Sequence, residues 1–198
     1  TTTGTSASNT ERLRDGLVDA AFVHPGFVTS PGGIPDAIAV RLLRRDTILL
    51  AMSPDHHLAK LDQVPVRALR NEPLIMFPTT PYHGFNLMLQ GWLARHIGAE
   101  PKVVANEPPE HAMQAIAGSS SLIAFAEASR AANTPVPGIA YRRMSPDLLS
   151  DFGIAYFRDD DSPKLANLLK LINEMSEGEP GEIPEGSEVL YAERTPAG

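Results

Sequence analysis

The stretch Thr5-Ser6, followed by Glu11-Arg12-Leu13-Arg14-Asp15-Gly16-Leu17-Val18-Asp19-Ala20-Ala21-Phe22-Val23, decides the fold. It reads as a capped helix running through a glycine into a buried strand. A hydroxyl from Thr5, Ser6 or Ser8 suits the orphan amides at the helix start. Arg12 and Arg14 suit the negative end of the dipole, and Gly16 supplies a left-handed stop. Ala20 to Val23 is the short apolar run of a covered parallel strand. Helix, glycine and strand make the second half of a βαβ unit. No strand precedes Thr5, so the first βαβ unit reads as incomplete, with an open sheet edge to be covered by upstream residues, the 187–193 segment or a dimer partner.

Further apolar runs follow at Thr47–Met52, Leu74–Phe77, Val103–Ala105, Leu122–Phe125, Ile139–Tyr141 and Ile154–Phe157. Helical patterns lie between them: Val66–Leu69, Asn86–His96 with Leu87, Leu89, Trp92 and Leu93 on the apolar side, Glu110–Ala117 and Ala126–Ala132. A last helix begins at Ser162-Pro163, with Leu165, Leu168, Leu169 and Ile172 at core spacing. Alternation of this kind predicts an α/β fold of two Rossmann-like lobes. Residues 1–52 plus 152–176 form lobe I, incomplete at its N-terminus, and 53–151 form lobe II. The acidic, Pro/Gly-rich residues 177–198 form a flexible tail, within which Ser187–Glu193 has the composition of a short strand. Two crossings between lobes make a hinge, with a ligand cleft between them.

Composition narrows the function. With 198 residues, 42% apolar and 21% charged, the chain is ordinary globular material. No apolar run approaches the ~20 residues of a membrane span, and no signal peptide is visible; a cytoplasmic location is the expectation. Zero cysteines exclude disulfides and thiolate chemistry. A net charge of −7 argues against a nucleic-acid surface on these residues. Arg41, Arg44 and Arg45 read as a solvated face or interface rim. Six histidines call for a metal check. Adjacent His56 and His57 do not readily face one ion, and the others lack a carboxylate at ligand spacing. Asp159-Asp160-Asp161 reads as a helix-start flank. No nucleophilic triad, HExxH or phosphate loop is present. The chain is expected to be no enzyme and to need no cofactor or metal.

Four motifs in order carry a resemblance. Leu13-x-x-Gly16-x-x-Asp19-Ala20-x-Phe22 is followed by Leu50-Ala51-Met52-Ser53-Pro54-Asp55-His56-His57-Leu58-Ala59. Then come Val64-x-Val66-x-x-Leu69-Arg70-Asn71-Glu72-Pro73-Leu74-Ile75 and Ala115-Ile116-Ala117-Gly118-x-x-Ser121-Leu122-Ile123. Together they resemble the effector-binding domain of LysR-type transcriptional regulators, with order and spacing held from about residue 5 to about residue 174. Phe77-Pro78-Thr79-Thr80-Pro81-Tyr82-His83-Gly84-Phe85 is similar to a loop of the aromatic-catabolism branch, whose members sense muconates, benzoates or related carboxylates. The fold so implied is the type 2 periplasmic-binding-protein architecture.

The resemblance also implies a site. Thr5 and Ser6 at the first helix, Pro78, Thr79, Thr80 and Phe85 in the loop, and Gly153 near the second crossing would hold a small organic anion. Hydroxyls and amides at a strand's carboxyl end suit that ligand. Phe85 would be an apolar wall, and Gly153 would leave the pocket roomier than in the branch. Several positions depart from the family pattern. The strand, helix and strand that precede the Thr5 position in the family are not in this chain. His57 stands for a proline, Ala126 or Glu127 for another, and the segment 107–118 is about a turn short. The resemblance further implies self-association as dimers or tetramers, and DNA binding only through an N-terminal winged helix-turn-helix outside these residues. A free-standing solute-binding protein of the same bilobal architecture is the rival reading.

Overall fold

Thr5 stands just outside the first helix with extended backbone, and its Oγ1 accepts the Ser8 N–H at 3.1 Å. The helix it caps, α1 (Ser6–Arg14), closes with two bonds: Gly16 N–H donates to the Leu13 carbonyl at 3.0 Å and Leu17 N–H to the Arg12 carbonyl at 2.8 Å. Gly16 makes this turn at a φ of 69°, backbone that a side chain disfavours. The structure, a computed structural model, describes residues 4–28, 34–175 and 180–190, with the side chains of residues 80–82 outside the description.

The chain divides into two compact units. Unit 1 draws on Thr1–Arg45 and Asp151–Glu182, and unit 2 on Asp46–Ser150 and Ile183–Leu190. The divisions fall at 45/46 and 150/151, several residues from the first boundary expected and one from the second. The strands β2 (Ile38–Met52) and β8 (Asp147–Phe157) run through them unbroken, so no turn residue marks either one.

In unit 1, α1 packs on β1 (Ala20–Val23) around Leu13, Val23, Ile38 and Ala155. β1 pairs antiparallel with β8, Ala20 opposite Tyr156 and Val23 opposite Gly153. The expectation of a covered parallel strand is therefore corrected. Alternation turns Phe22 outward, where it is 50% exposed and stacks on Phe152 at 5.6 Å. α5 (Pro163–Met175) is capped by Ser162 Oγ, which accepts the Leu165 N–H. It buries Leu165, while Leu168 at the same predicted core spacing stays 37% exposed.

In unit 2, the second half of β2 pairs antiparallel with β6 (Ile123–Glu127), from Ile48 opposite Glu127 to Met52 opposite Ile123. β4 (Leu74–Met76) lies parallel to both β6 and β5 (Val103–Asn106). β3 (Gln63–Pro65) pairs parallel with β7 (Ala140–Ser145), which also pairs with β2. The helices are α2 (Thr79–Ile97), α3 (Pro109–Ala117) and α4 (Ala128–Asn133). A core of Ala51, Ile75, Ala112, Met113, Ile116 and Ala124 fills one side, and α2 buries Leu89, Trp92 and Leu93. Leu87, expected on that apolar side, is 51% exposed.

Two expectations change here. α2 begins at Thr79 rather than near Asn86, so the Pro-Thr-Thr-Pro stretch is a helix start. Pro81 falls in its first turn, where no N–H is required. Within residues 177–198, Ser187–Val189 forms β9, parallel to β8 with Ser187 opposite Asp147 and Val189 opposite Leu149. That strand pairs in unit 2 and not on the edge of the first lobe, because Leu190 finds a buried place there (3% exposed) and its N–H donates to Leu149 at 2.8 Å.

Candidate functional site

Of the residues expected to hold a ligand, Thr5, Ser6 and Gly153 belong to unit 1, and Pro78, Thr79, Thr80 and Phe85 to unit 2. In unit 1 the two hydroxyls differ in role. Thr5 is the helix cap: its Oγ1 accepts the Ser8 N–H and also bonds Ser8 Oγ at 3.2 Å. Ser6 Oγ accepts the His24 N–H at 2.9 Å, which leaves its own proton available for an acceptor. The Ser6 and Ala7 amides have no intrahelical acceptor. One hydroxyl and two amides thus converge on the positive end of α1, a setting that favours an anion.

Beside Ser6 lies an aromatic cluster with no local signal in the sequence. The His24 ring stacks on Phe27 (4.8 Å, 14°) and leans on Phe152 (5.1 Å), and its Nδ1 lies 3.1 Å from the Asp151 carbonyl. The Arg44 guanidinium sits 5.3 Å from the Phe152 ring centre, a cation–π distance. A positive helix end, flat apolar walls and a nearby cation suit an aromatic carboxylate better than a sugar or a cation. Gly153 does not enlarge this region. A Cβ on it would meet the Arg41 carbonyl oxygen at 2.5 Å and Val40 Cγ1 at 3.1 Å. The residue is small because β2 passes close to it.

In unit 2, Pro78 occupies the cap position of α2 with no side-chain cap, and the exposed Thr79 follows. The Thr79 and Thr80 amides therefore have no capping acceptor. The Thr80 side chain lies outside the described residues. Phe85 is 5% exposed and packs edge-on against Phe77 (5.0 Å, 82°), so it braces the helix start from within. Asn86 adds a tie that sequence reasoning missed. Its Nδ2 donates to the Phe77 carbonyl at 2.7 Å, while its buried Oδ1 has no hydrogen-bond partner.

Arg45 is no solvated cation. Its Nε donates to Asp151 Oδ1 at 2.7 Å and its Nη2 to Oδ2 at 3.0 Å, with side-chain exposures of 14% and 1%. The pair therefore clamps β2 to β8 at the last unit-1 residue of β2 and the first of β8. One residue on, Asp46 accepts the Thr47 and Ser129 amides at 2.9 and 3.1 Å.

His56 and His57 also differ from expectation. Their rings stack at 4.6 Å, and both Nε2 atoms lie 3.3 Å from the Glu72 carboxylate. Nδ1 of the fully buried His56 accepts the Leu58 N–H at 3.1 Å, which puts the neutral ring's proton on Nε2. That nitrogen offers a proton, not the lone pair a metal ligand needs. Burial pushes the His56 pKa below its ordinary 6.5, against the opposing pull of Glu72.

Unit 2 also holds an open depression of about 710 Å³ lined by residues that include Thr47, Asp62, Tyr141, Arg142 and Arg143. Arg142 donates to the Ala59 and Tyr141 carbonyls and Arg143 to Asp147, so its cations are already engaged.

Comparison with known proteins gives the family and the fold. Residues 1–177 match the LysR substrate binding domain family. The regulator IlvR of Caulobacter vibrioides, an HTH-type transcriptional regulator, is 26% identical over 159 residues, covering 79% of this chain and 52% of that protein. The HTH-type transcriptional regulator XapR of Escherichia coli is 24% identical over 134 residues, covering 67% and 44%. The chain spans about half the length of these curated relatives. Among solved structures, the effector binding domain of a BenM variant superposes with a TM-score of 0.73 at 22% identity, covering 87% of this chain and 77% of that one. The BenM effector binding domain with its effector benzoate gives 0.72 at 22% identity, covering 87% and 75%. At this identity the likeness shows the fold.

Proposed function

This chain belongs to the LysR substrate-binding-domain family, and we propose that it is the ligand-sensing part of a bacterial transcriptional regulator, responding to a small aromatic-pathway carboxylate. The observation that carries the reading is the start of α1. Thr5 serves as cap, which leaves the Ser6 hydroxyl and two amides facing outward beside His24 and Phe152. The carboxylate would take the Ser6 proton as a hydrogen bond, together with the amides at the start of α1. The aromatic body would lie on Phe152. The similarity of residues 77–85 to the aromatic-catabolism loop and the fold shared with the benzoate-bound BenM domain support the choice of ligand class.

A ligand switches such a domain only by binding one arrangement better than another. In this reading the change is passed to a helix-turn-helix part of the kind named in the curated relatives, within dimers or tetramers in the cytoplasm. No covalent step is required of any residue.

The test is thermal unfolding with benzoate, cis,cis-muconate and neutral analogues. At about 100 times Kd a ligand adds about 2.7 kcal/mol. For a chain of this size that is about 5–10 °C in Tm. Stabilisation by a carboxylate and none by its amide or methyl ester supports the reading. Equal response to the neutral analogue contradicts it.

A further inference from the structure

The family match ends at residue 177, yet residues Ile183–Leu190 belong to the packed structure of unit 2. A turn closed by the Ser187 N–H on the Pro184 carbonyl at 3.0 Å, with Gly186 at a φ of 76°, starts β9. The strand then lies along the Asp147–Leu149 end of β8, and the Leu190 N–H extends the pairing to the Leu149 carbonyl at 2.8 Å. The Leu190 side chain is buried. Between these backbone ties, the Glu188 carboxylate meets two donors one turn apart on α2, Trp92 Nε1 at 2.9 Å and His96 Nε2 at 2.9 Å. His96 Nδ1 donates to the Trp92 carbonyl at 2.9 Å, so the proton joining Nε2 to Glu188 is a second one and that bond is charge-assisted. The two rings lie 4.4 Å apart and Trp92 is fully buried, so both donors stand on a packed base.

We propose that unit 2 carries a docking groove for an extended acidic segment, and that residues 183–190 of this chain are its occupant. Three features of the groove each read a different property of the segment. The β8 backbone pairs only with an extended chain, the mode of strand addition. The Trp92 and His96 donors call for a carboxylate at the position of Glu188. The buried place of Leu190 takes an apolar side chain. The pattern so selected is Glu-x-Leu, as in Glu188-Val189-Leu190. None of these contacts uses the peptide bond to residue 182, so the segment binds as a separate peptide, and its tether only raises its effective concentration. Every contact lies within unit 2, and none involves the start of α1.

The test pairs a fluorescein-labelled peptide of the sequence 183–190 with the full chain carrying Glu188→Ala and Leu190→Ala. These two changes weaken the chain's own occupant and leave the groove intact. Fluorescence anisotropy should show saturable binding, about tenfold or more tighter than to the parent chain, whose groove is filled by the tethered segment. A peptide with Glu188→Ala should bind the same host about tenfold or more weakly, the scale of one hydrogen bond to a charged group. Adding Trp92→Phe to the host keeps an aromatic ring but removes the N–H, and should bring the affinities of the two peptides close together. The single variant Glu188→Ala alters only a side chain that is 45% exposed, and serves as a second host if the double variant is unfolded. Absence of saturable binding to a folded host, equal binding of the two peptides, or binding as tight to the parent chain would each overturn the proposal.

Discussion

Replacing Gly153 with alanine puts a methyl carbon 2.5 Å from the Arg41 carbonyl oxygen and 3.1 Å from Val40 Cγ1. Carbon and oxygen prefer to stand well over 3 Å apart, so β2 or β8 must shift. The obstructing atom is backbone, part of strands that also carry the Arg45–Asp151 pair, so the shift cannot be absorbed by one side-chain rotation. Forcing an extra methyl group into a packed site costs about 1–3 kcal/mol. A change of 1 kcal/mol moves Tm by about 2–4 °C in a chain of this size. Gly153→Ala should therefore lower Tm by about 4–8 °C for a central cost of 2 kcal/mol. Calorimetry without ligand is the direct assay. A Tm within 1 °C of the parent, combined with weakened carboxylate binding, would refute the reasoning and return Gly153 to the role of a pocket-lining residue.

Three other perturbations follow from the geometry. Arg45→Met removes the two guanidinium hydrogen bonds from Asp151, whose side chain is 1% exposed. Chemical unfolding should show a loss of about 3–5 kcal/mol, with much of it recovered in the Arg45→Met, Asp151→Leu double variant. Because burial lowers the His56 pKa from 6.5, the unfolded chain takes up that proton first. Stability is then whole above about pH 6.5 and falls as pH drops below it, by at most about 1.4 kcal/mol per unit for one group. Urea titrations at pH 7.5 and 5.0 should show a smaller loss for His56→Asn than for the parent, and equal losses would exclude His56 as the source. Thr5→Ala removes the Ser8 N–H acceptor and should cost about 1 kcal/mol of stability with carboxylate affinity nearly unchanged, as measured by unfolding and calorimetric titration side by side.

Local signals in the sequence were legible where neighbours in the chain made the structure. A hydroxyl cap from among Thr5, Ser6 and Ser8, Gly16 as a left-handed stop, and Ser162 before Pro163 all appear as read. The apolar runs of β4 and β6 were visible because burial on both faces leaves a continuous run. The start of α2 was hidden because Pro81 and Gly84 look like a turn, and only position within the helix makes them tolerable. Partnerships between distant residues left no trace. Arg45 meets Asp151 across 106 positions, and Trp92 meets Glu188 across 96. Nothing near Arg45 in the chain distinguishes a clamp from a solvated cation. The packing at Gly153 was hidden for the same reason: a Cβ there would meet Arg41 on another strand. The helix-start hydroxyls were legible, but their division of labour was not, since it depends on the His24 N–H reaching Ser6.

The central claim is that a carboxylate is held by the start of α1. Amide chemical shifts followed during titration with the carboxylate that raises Tm test it most directly. The account predicts that the largest saturable shifts fall on Ser6 and Ala7, and that Ser6→Ala weakens binding about 10-fold or more, the scale of one hydrogen bond to a charged group. Shifts concentrated around Thr47, Asp62 and Arg142 with those two amides unmoved would contradict it.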